Sequence, residues 1–443
     1  MEQLRPPETL WHEGANYAAD AIILRGNNIC LIKRKVDGSW ALPGGFLDNN
    51  EGSHHAAIRE ASEETGLNVD SGICVFSDKV NDPRNSADRW IESDAYLFEC
   101  IDEKLSAGDD ASDAKWFPID QLPEHLYGSH EEMIDNARNH LALQDFLREA
   151  TELPVRSGHM GYAYSLYRNA DMTLFTKSHI PDNFSDARRA EHSQFYLKKE
   201  SVVLDHLRTH QYRHIPRYHK LVGQSVLTME GLSEDDGWVW KVPDDNTYSL
   251  YMQDILGALD ELATIDPIVI SEPVAPSIHS FFEEGWASFT PSTLSAIEQR
   301  LHYFHDQLQN DTAALIDKLI DDLPVLATTI QPPTQAIVYS HHDARVNNIA
   351  WHRNHGIRII DWSWYSAGTR RADSTAFLID VAKSGHDVTH YMDNYFDKNH
   401  AKLLIGFWLC HSLWPTRTSD DSVRLHQVAS ALTAYQLIQQ IGE

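Results

Sequence analysis

Three glutamates of the stretch GGFLDNNEGSHHAAIREASEETGL, Glu60, Glu63 and Glu64, stand at positions i, i+3 and i+4. On a helix that spacing crowds all three carboxylates onto one face, where like charges cost roughly a few tenths of a kcal/mol per pair. A divalent cation removes the cost, because hard ions such as Mg²⁺ or Mn²⁺ take oxygen ligands and keep positions open for phosphate oxygens. Gly44 and Gly45, after Pro43, permit torsions closed to other residues and let a carbonyl join the metal shell. Arg59 can hold a neighbouring carboxylate by a two-pronged hydrogen bond. The chemistry such a face could do is metal-assisted attack of water on a bound phosphate group, with a carboxylate helping to take the proton. Glu63 and Glu64 are the catalytic candidates. Three glutamates taken alone describe a solvated acidic helix better than a site.

A second group lies far downstream: His341-His342-Asp343, then Asn348, then Asp361 at the end of the apolar Ile359-Ile360. Phosphoryl transfer from ATP needs this set. One carboxylate receives the proton of the acceptor hydroxyl, while an amide and a second carboxylate hold Mg²⁺.

The surrounding pattern supplies the elements that must hold these residues. AADAIILR and ICLIKRK are short apolar runs split by Gly26-Asn27-Asn28, a hairpin signal. SGICVFS, DAYLFEC and AKWFPI predict further strands, and helices are predicted from Ser53 to Thr65 and over SHEEMIDNARNHLALQDFL. Beyond Glu152-Leu153-Pro154, strands at GYAYSLYR, MTLFTK and SVLTME surround a long amphipathic helix at AEHSQFYLKKESVVLDHLRTH. The remainder is helical in pattern apart from the strand-rich island QAIVYSHHDARVNNIAWHRNHGIRIIDW. At 443 residues the chain exceeds the usual domain size. The expected domains are 1–150, 151–232 and 233–443, a multidomain chain of α/β and α+β class.

With 42% hydrophobic and 23% charged residues the composition is globular. The 65 acidic against 37 basic side chains give a net charge of −28, which disfavours nucleic acid and anionic membrane and suits a small ligand carried in with metal ions. The same acidity serves solubility equally well. Cys30, Cys74, Cys100 and Cys410 form no CxxC pair, an argument against a zinc knuckle or disulfide scaffold and for a reducing, cytoplasmic setting. No apolar segment follows a basic start, and no run of about 18 apolar residues occurs, so a soluble, unexported protein is expected.

The first stretch resembles the Nudix box, G-x5-E-x7-R-E-U-x-E-E-x-G-U, at every fixed position, with Ala61 and Leu67 in the U sites. The resemblance implies a Nudix fold, a mixed sheet between helices. Metal would be bound mainly by Glu60 and Glu64 together with Glu63, and Gly45, Glu51 and Arg59 would meet the substrate. DPRNSADRWIES, AGDDASDAKW and LYGSH look like the mitochondrial ADP-ribose pyrophosphatases of animals and the homologous ADP-ribose-binding domain of melastatin-type channels. That likeness implies ADP-ribose, or a related nucleoside diphosphate, as substrate, with AMP and ribose 5-phosphate as products. Arg84 would neutralise phosphate or grip ribose hydroxyls, Asp82 would join it in binding substrate, Tyr127 would offer a stacking face, and His130 a hydrogen-bonding ring.

The downstream island resembles the aminoglycoside phosphotransferase and choline kinase group, which implies a two-lobed protein-kinase-like fold with ATP as donor. Asp343 would be the base, and Asn348 and Asp361 the metal ligands. Gly368 and Asp373 extend the match. Lys177 in TLFTK resembles the strand lysine on the ATP phosphates, Glu200 its helix partner, and SVLTMEGL, with Met229 and Glu230, the adenine hinge. SGHMGYAY, from Ser157, occupies the place of the phosphate loop with a weak glycine pattern. Ala344-Arg345-Val346-Asn347 replaces the usual Leu-His-Pro-Gly, so Arg345 would alter how the acceptor is held. The acceptor, a small-molecule hydroxyl, is not legible. Two complete motif sets favour a bifunctional enzyme. The alternatives are a sensor in which ADP-ribose controls the second domain, and a kinase-like part that only binds nucleotide.

Overall fold

Strand β1 (Asn16–Arg25) is apolar along most of its length, the mark of a strand covered on both faces. Its alternate side chains serve two cores, as the two-residue period of a strand requires. Ala19, Ala21 and Ile23 pack with Ala56, Ala57 and Ala61 of helix α1 (Ser53–Thr65), whereas Ile22 and Leu24 pack with Met133, Ile134 and Ala137 of helix α2 (His130–Glu149). Around β1 runs a seven-stranded sheet built with β2 (Asn28–Arg34), β3 (Trp40–Ala41), β4 (Gly44–Phe46), β5 (Ile73–Ser77), β6 (Ile91–Glu99) and β7 (Ala111–Pro118). The order is β3-β2-β1-β6-β5, with β4 on β1 and β7 on β2. β1 and β6 are parallel and the other pairs antiparallel, the mixed sheet between helices that was expected. Gly26, at φ +56, turns β1 into β2. On its outer side β1 pairs β2 only near Leu24 and pairs β4 from Ala18 to Asp20. This places Gly44 opposite Asp20 and Gly45 opposite Ala19.

The computed structural model describes residues 16–77, 91–101, 104–108, 111–155, 162–180, 187–223, 225–266, 289–308, 310–329, 338–414 and 421–442. The chain divides into two compact units, Met1–Lys198 with Tyr218–Gly231, and Lys199–Arg217 with Leu232–Glu443. The first unit holds a second, antiparallel sheet, ordered β11-β12-β10-β9-β8. Its strands are β8 (Thr151–Leu153), β9 (Ala163–Arg168), β10 (Thr173–Ser178), β11 (His219–Val222) and β12 (Val226–Glu230). The residues expected as a junction, Glu152-Leu153, are an edge strand paired with β9. Pro154, which has no N–H to offer a ladder, follows its end.

The second unit is mostly helical. Helix α3 (Ala187–Thr209) contributes Val203, Leu204 and Leu207 to a core shared with Tyr251, Ile255 and Leu259 of α4 (Tyr248–Leu262) and with Phe377 of the helix Ala372–Lys383. The helices Lys398–Ser412 and Ser422–Gly442 pack against each other. Two short ladders carry the downstream motif: β13 (Val338–Ser340) with β16 (Ser366–Gly368), and β14 (Ile349–His352) with β15 (Gly356–Ile359). Among the described residues no helix is long and apolar enough to cross a membrane.

Candidate active sites

The alanine stripe Ala56, Ala57 and Ala61 lays α1 on the sheet, and Leu67, also buried, anchors the chain beyond it. This is why the motif asks for apolar residues between its acids. Gly66, at φ +69, ends the helix by donating its N–H to the Ser62 carbonyl. The three acids then part company. Glu64 is buried and its Oε2 accepts the Gly44 N–H at 2.9 Å. Glu60 is 13% exposed in its side chain, while Glu63 stands in water at 59%.

Gly44 and Gly45 have no positive φ, so the freedom of torsion expected of them is not what they provide. They provide space: a Cβ on Gly45 would lie 2.4 Å from Glu60 Oε1, and one on Gly44 2.3 Å from Asp20 Oδ1. Arg59 braces the cluster. Its Nε and Nη2 grip Glu51 at 3.0 and 2.9 Å, its Nη1 donates to Glu60 at 2.7 Å and Glu63 at 3.1 Å, and its Nη2 also reaches the Phe46 carbonyl at 3.0 Å. The guanidinium holds the Glu51 carboxyl below its usual range, whereas burial outweighs it at Glu60 and raises that carboxyl. A desolvated Glu60 and an anchored Glu64 around two glycine backbones are hard oxygen donors that fit a divalent ion. Among the described residues no three Asp, Glu, His or Cys side chains converge for a metal on their own.

The far end of α1 is held from outside. Ser106 N–H donates to the Thr65 carbonyl and Gly108 N–H to the Glu64 carbonyl, both at 2.9 Å. A Cβ on Gly108 would fall 1.9 Å from the Glu63 carbonyl oxygen. Gly108→Ala should therefore push this segment off the helix end and cost about 1–3 kcal/mol of stability, measured by urea unfolding of the full chain. An unchanged midpoint would show that the contact gives way freely.

Of the residues expected to meet substrate, Tyr127 carries the Arg34 guanidinium 3.7 Å above its ring. No motif marks Arg34, and sequence reasoning missed it. His130 serves the interior as placed: it is buried, its Nδ1 accepts the Leu42 N–H at 2.8 Å, and its Nε2 faces Asp20 at 3.6 Å. Asp82, Arg84 and residues 157–161 of the Ser157 loop lie outside the described residues.

In the second unit, Asp343, Asn348 and Asp361 are built on one backbone frame. Asp373 accepts the N–H groups of His341 and His342 at 2.8 and 2.7 Å, pinning the turn before Asp343. His341 takes the Asp343 N–H on Nδ1 and donates from Nε2 to the Ile360 carbonyl, 2.9 Å away. Gly368 leaves room for His342, whose ring would stand 2.6 Å from a Cβ there. Asn348 Nδ2 donates to the Asp343 carboxylate at 2.7 Å, so Oδ1 is the atom it would present to a cation. Asp361 sits at φ +64, and its Oδ1 accepts from Ser363 at 3.0 Å. Left-handed backbone at a non-glycine residue is strained, and the surrounding structure must hold it there. Glu200 is buried and accepts the Trp362 N–H at 3.2 Å. Arg345 lies 3.1 Å from Asp343 Oδ1. Burial raises the Asp343 carboxyl to about 6, against the pull of Arg345. Asp380, which sequence reasoning missed, accepts the Val346 N–H at 2.8 Å and pairs with Lys383 at 2.6 Å. In the first unit, Lys177 is buried on β10 with its Nζ 4.8 Å over the Tyr162 ring, and Met229 and Glu230 are buried on β12.

Residues 15–137 match the NUDIX domain and residues 183–402 the phosphotransferase enzyme family. An ADP-ribose pyrophosphatase of Methanocaldococcus jannaschii is 40% identical over 122 residues, 26% of this chain and 69% of that protein. The mitochondrial ADP-ribose pyrophosphatase of Rattus norvegicus is 34% identical over 165 residues, 27% of this chain and 47% of that protein. A transient receptor potential cation channel subfamily M member-like 2 of Nematostella vectensis is 29% identical over 164 residues, 28% of this chain and 10% of that one. This chain thus spans about half of the rat relative and a tenth of the channel. Complete in its glutamate motif and in its mixed sheet, the chain belongs to the Nudix hydrolases, in the company of ADP-ribose pyrophosphatases, and carries with that domain a second one of the phosphotransferase family.

Proposed function

We propose a bifunctional enzyme. Its Nudix domain hydrolyses ADP-ribose to AMP and ribose 5-phosphate, and its phosphotransferase domain moves the terminal phosphoryl group of ATP to a small-molecule hydroxyl. The observation that carries the first activity is the convergence of Glu60 and Glu64 on the Gly44–Gly45 backbone, with Arg59 locking Glu51 and Glu60 around it. A bound Mg²⁺ or Mn²⁺ would supply charge neutralisation at the pyrophosphate and a water of lowered pKa. Glu60, Glu64 and the Gly45 carbonyl are the groups that would hold it. Glu64 is committed to Gly44, so the exposed Glu63 is the better placed of the two catalytic candidates to take a proton from the attacking water. ADP-ribose is favoured over other nucleoside diphosphates by the names of the relatives and by the LYGSH and DPR segments.

For the second activity, Asp343 would accept the hydroxyl proton, Asn348 and Asp361 would hold the metal, and Lys177, Glu200, Met229 and Glu230 would serve ATP. The experiment for the first is purified protein with ADP-ribose and Mg²⁺, analysed for AMP and ribose 5-phosphate. Absence of AMP would sink the hydrolase proposal. For the second, ATP consumption is followed across a panel of hydroxylated acceptors. No consumption with any of them, together with a melting temperature merely raised by ATP, replaces the kinase by a nucleotide-binding domain.

A further inference from the structure

The segment that runs from the end of β3 into β4, Leu42-Pro43-Gly44-Gly45, is held by side chains at both ends. Gly44 N–H goes to Glu64 Oε2 at 2.9 Å, and Leu42 N–H goes to His130 Nδ1 at 2.8 Å. Between them the Pro43 carbonyl accepts the Ala21 N–H at 2.7 Å. Because Nδ1 accepts, the ring proton belongs on Nε2, which is turned toward Asp20 Oδ1 at 3.6 Å. That separation exceeds a hydrogen bond, so the attraction is one of charge and dipole. Asp20 is itself fixed: it accepts from the Ser93 hydroxyl, and its Oδ1 stands against the Cα of Gly44. His130 and Asp20 are each only 6% exposed, so both act from behind the segment.

We propose that His130, oriented by Asp20, is a positioning residue of the hydrolase centre. It fixes Leu42–Gly45 so that the Gly44 N–H and the Gly45 carbonyl meet Glu64 and the metal in one geometry. The inference rests on the Nudix reading of that centre. It assigns the histidine of LYGSH a task on the protein's own backbone rather than on the ligand. Partners that orient a metal site in this indirect way are worth about 10–100-fold in metal affinity.

The full chain is titrated with Mn²⁺, read by the paramagnetic signal of the free ion, and then assayed with ADP-ribose. His130→Asn keeps an oxygen where Nδ1 stands, whereas His130→Gln moves it to the place of Nε2 with the same polarity. The Asn variant should stay within about threefold of the original protein, while the Gln variant should lose about 10–100-fold in Mn²⁺ affinity and a comparable factor in kcat with little change in KM. Equal loss in both, or loss in neither, overturns the proposal. So does a fall in melting temperature with unchanged Mn²⁺ affinity of the folded protein, the signature of a packing role only. An original protein that binds no Mn²⁺ overturns both this inference and the reading beneath it. One that binds Mn²⁺ but releases no AMP overturns the substrate reading alone, and the Asn and Gln affinities still decide the positioning.

Discussion

Glu64→Gln should abolish AMP release from ADP-ribose, by about 10³-fold or more, and leave the protein folded. The glutamine oxygen can still accept the Gly44 N–H that Glu64 holds at 2.9 Å, so the backbone cradle survives. What disappears is a negative charge on a buried ligand atom, where water cannot stand in for the lost attraction to a cation. The check is chromatographic assay of AMP alongside Mn²⁺ titration, with Asp343→Asn as the control that keeps full hydrolysis. Glu64→Gln activity within tenfold of the original would remove Glu64 from the centre.

The second large effect belongs to Asp343→Asn, which should lower ATP-dependent phosphorylation by about 10²–10⁴-fold, the usual share of a general base. Its pH behaviour is distinctive. Only the ionised carboxylate can take the hydroxyl proton, and burial raises this carboxyl from 3.8 to about 6. Transfer in the original protein should therefore fall as pH drops below about 6. Stability runs the opposite way. A carboxyl whose folded pKa is raised favours the fold when protonated, and that contribution is lost as pH rises from 3.8 through about 6. At neutral pH the ionised Asp343 opposes folding, and asparagine removes the opposition. The variant should melt no lower than the original at pH 7.5, and calorimetry together with the kinase assay would separate this from a misfolded protein. A lowered melting temperature with residual transfer would count against Asp343 as the base.

Much of this was legible in the sequence because local rules sufficed. The bounds of α1 follow from its alanine stripe and from Gly66, and the β1–β2 hairpin from two apolar runs around Gly26. The downstream loop was recognisable because Asp343 and Asn348 are five residues apart and meet with little help from distant chain, while Asp373 reaches the same turn from about thirty residues on. Other parts depended on partners far away. Whether His130 faces a ligand or the interior is decided by the Leu42 N–H, 88 residues earlier. The need for glycine at 108 arises from a carbonyl at Glu63 that no periodicity links to it. Arg34 lies on a strand where a charged residue reads as ordinary surface, and only the fold lays it on Tyr127. Thr151–Leu153 was too short for alternation to show.

That short strand has a consequence for how the chain comes apart. Helix α2 covers one face of the Nudix sheet, ends at Glu149, lies against both β5 and β11, and passes through one extended residue, Ala150, into β8. No slack separates the hydrolase core from the sheet that bears Lys177. Local melting of either would strip cover or tether from the other, so the two are expected to unfold together. Any ligand that binds the folded Nudix domain would thereby protect the sheet that bears Lys177 as well, by mass action.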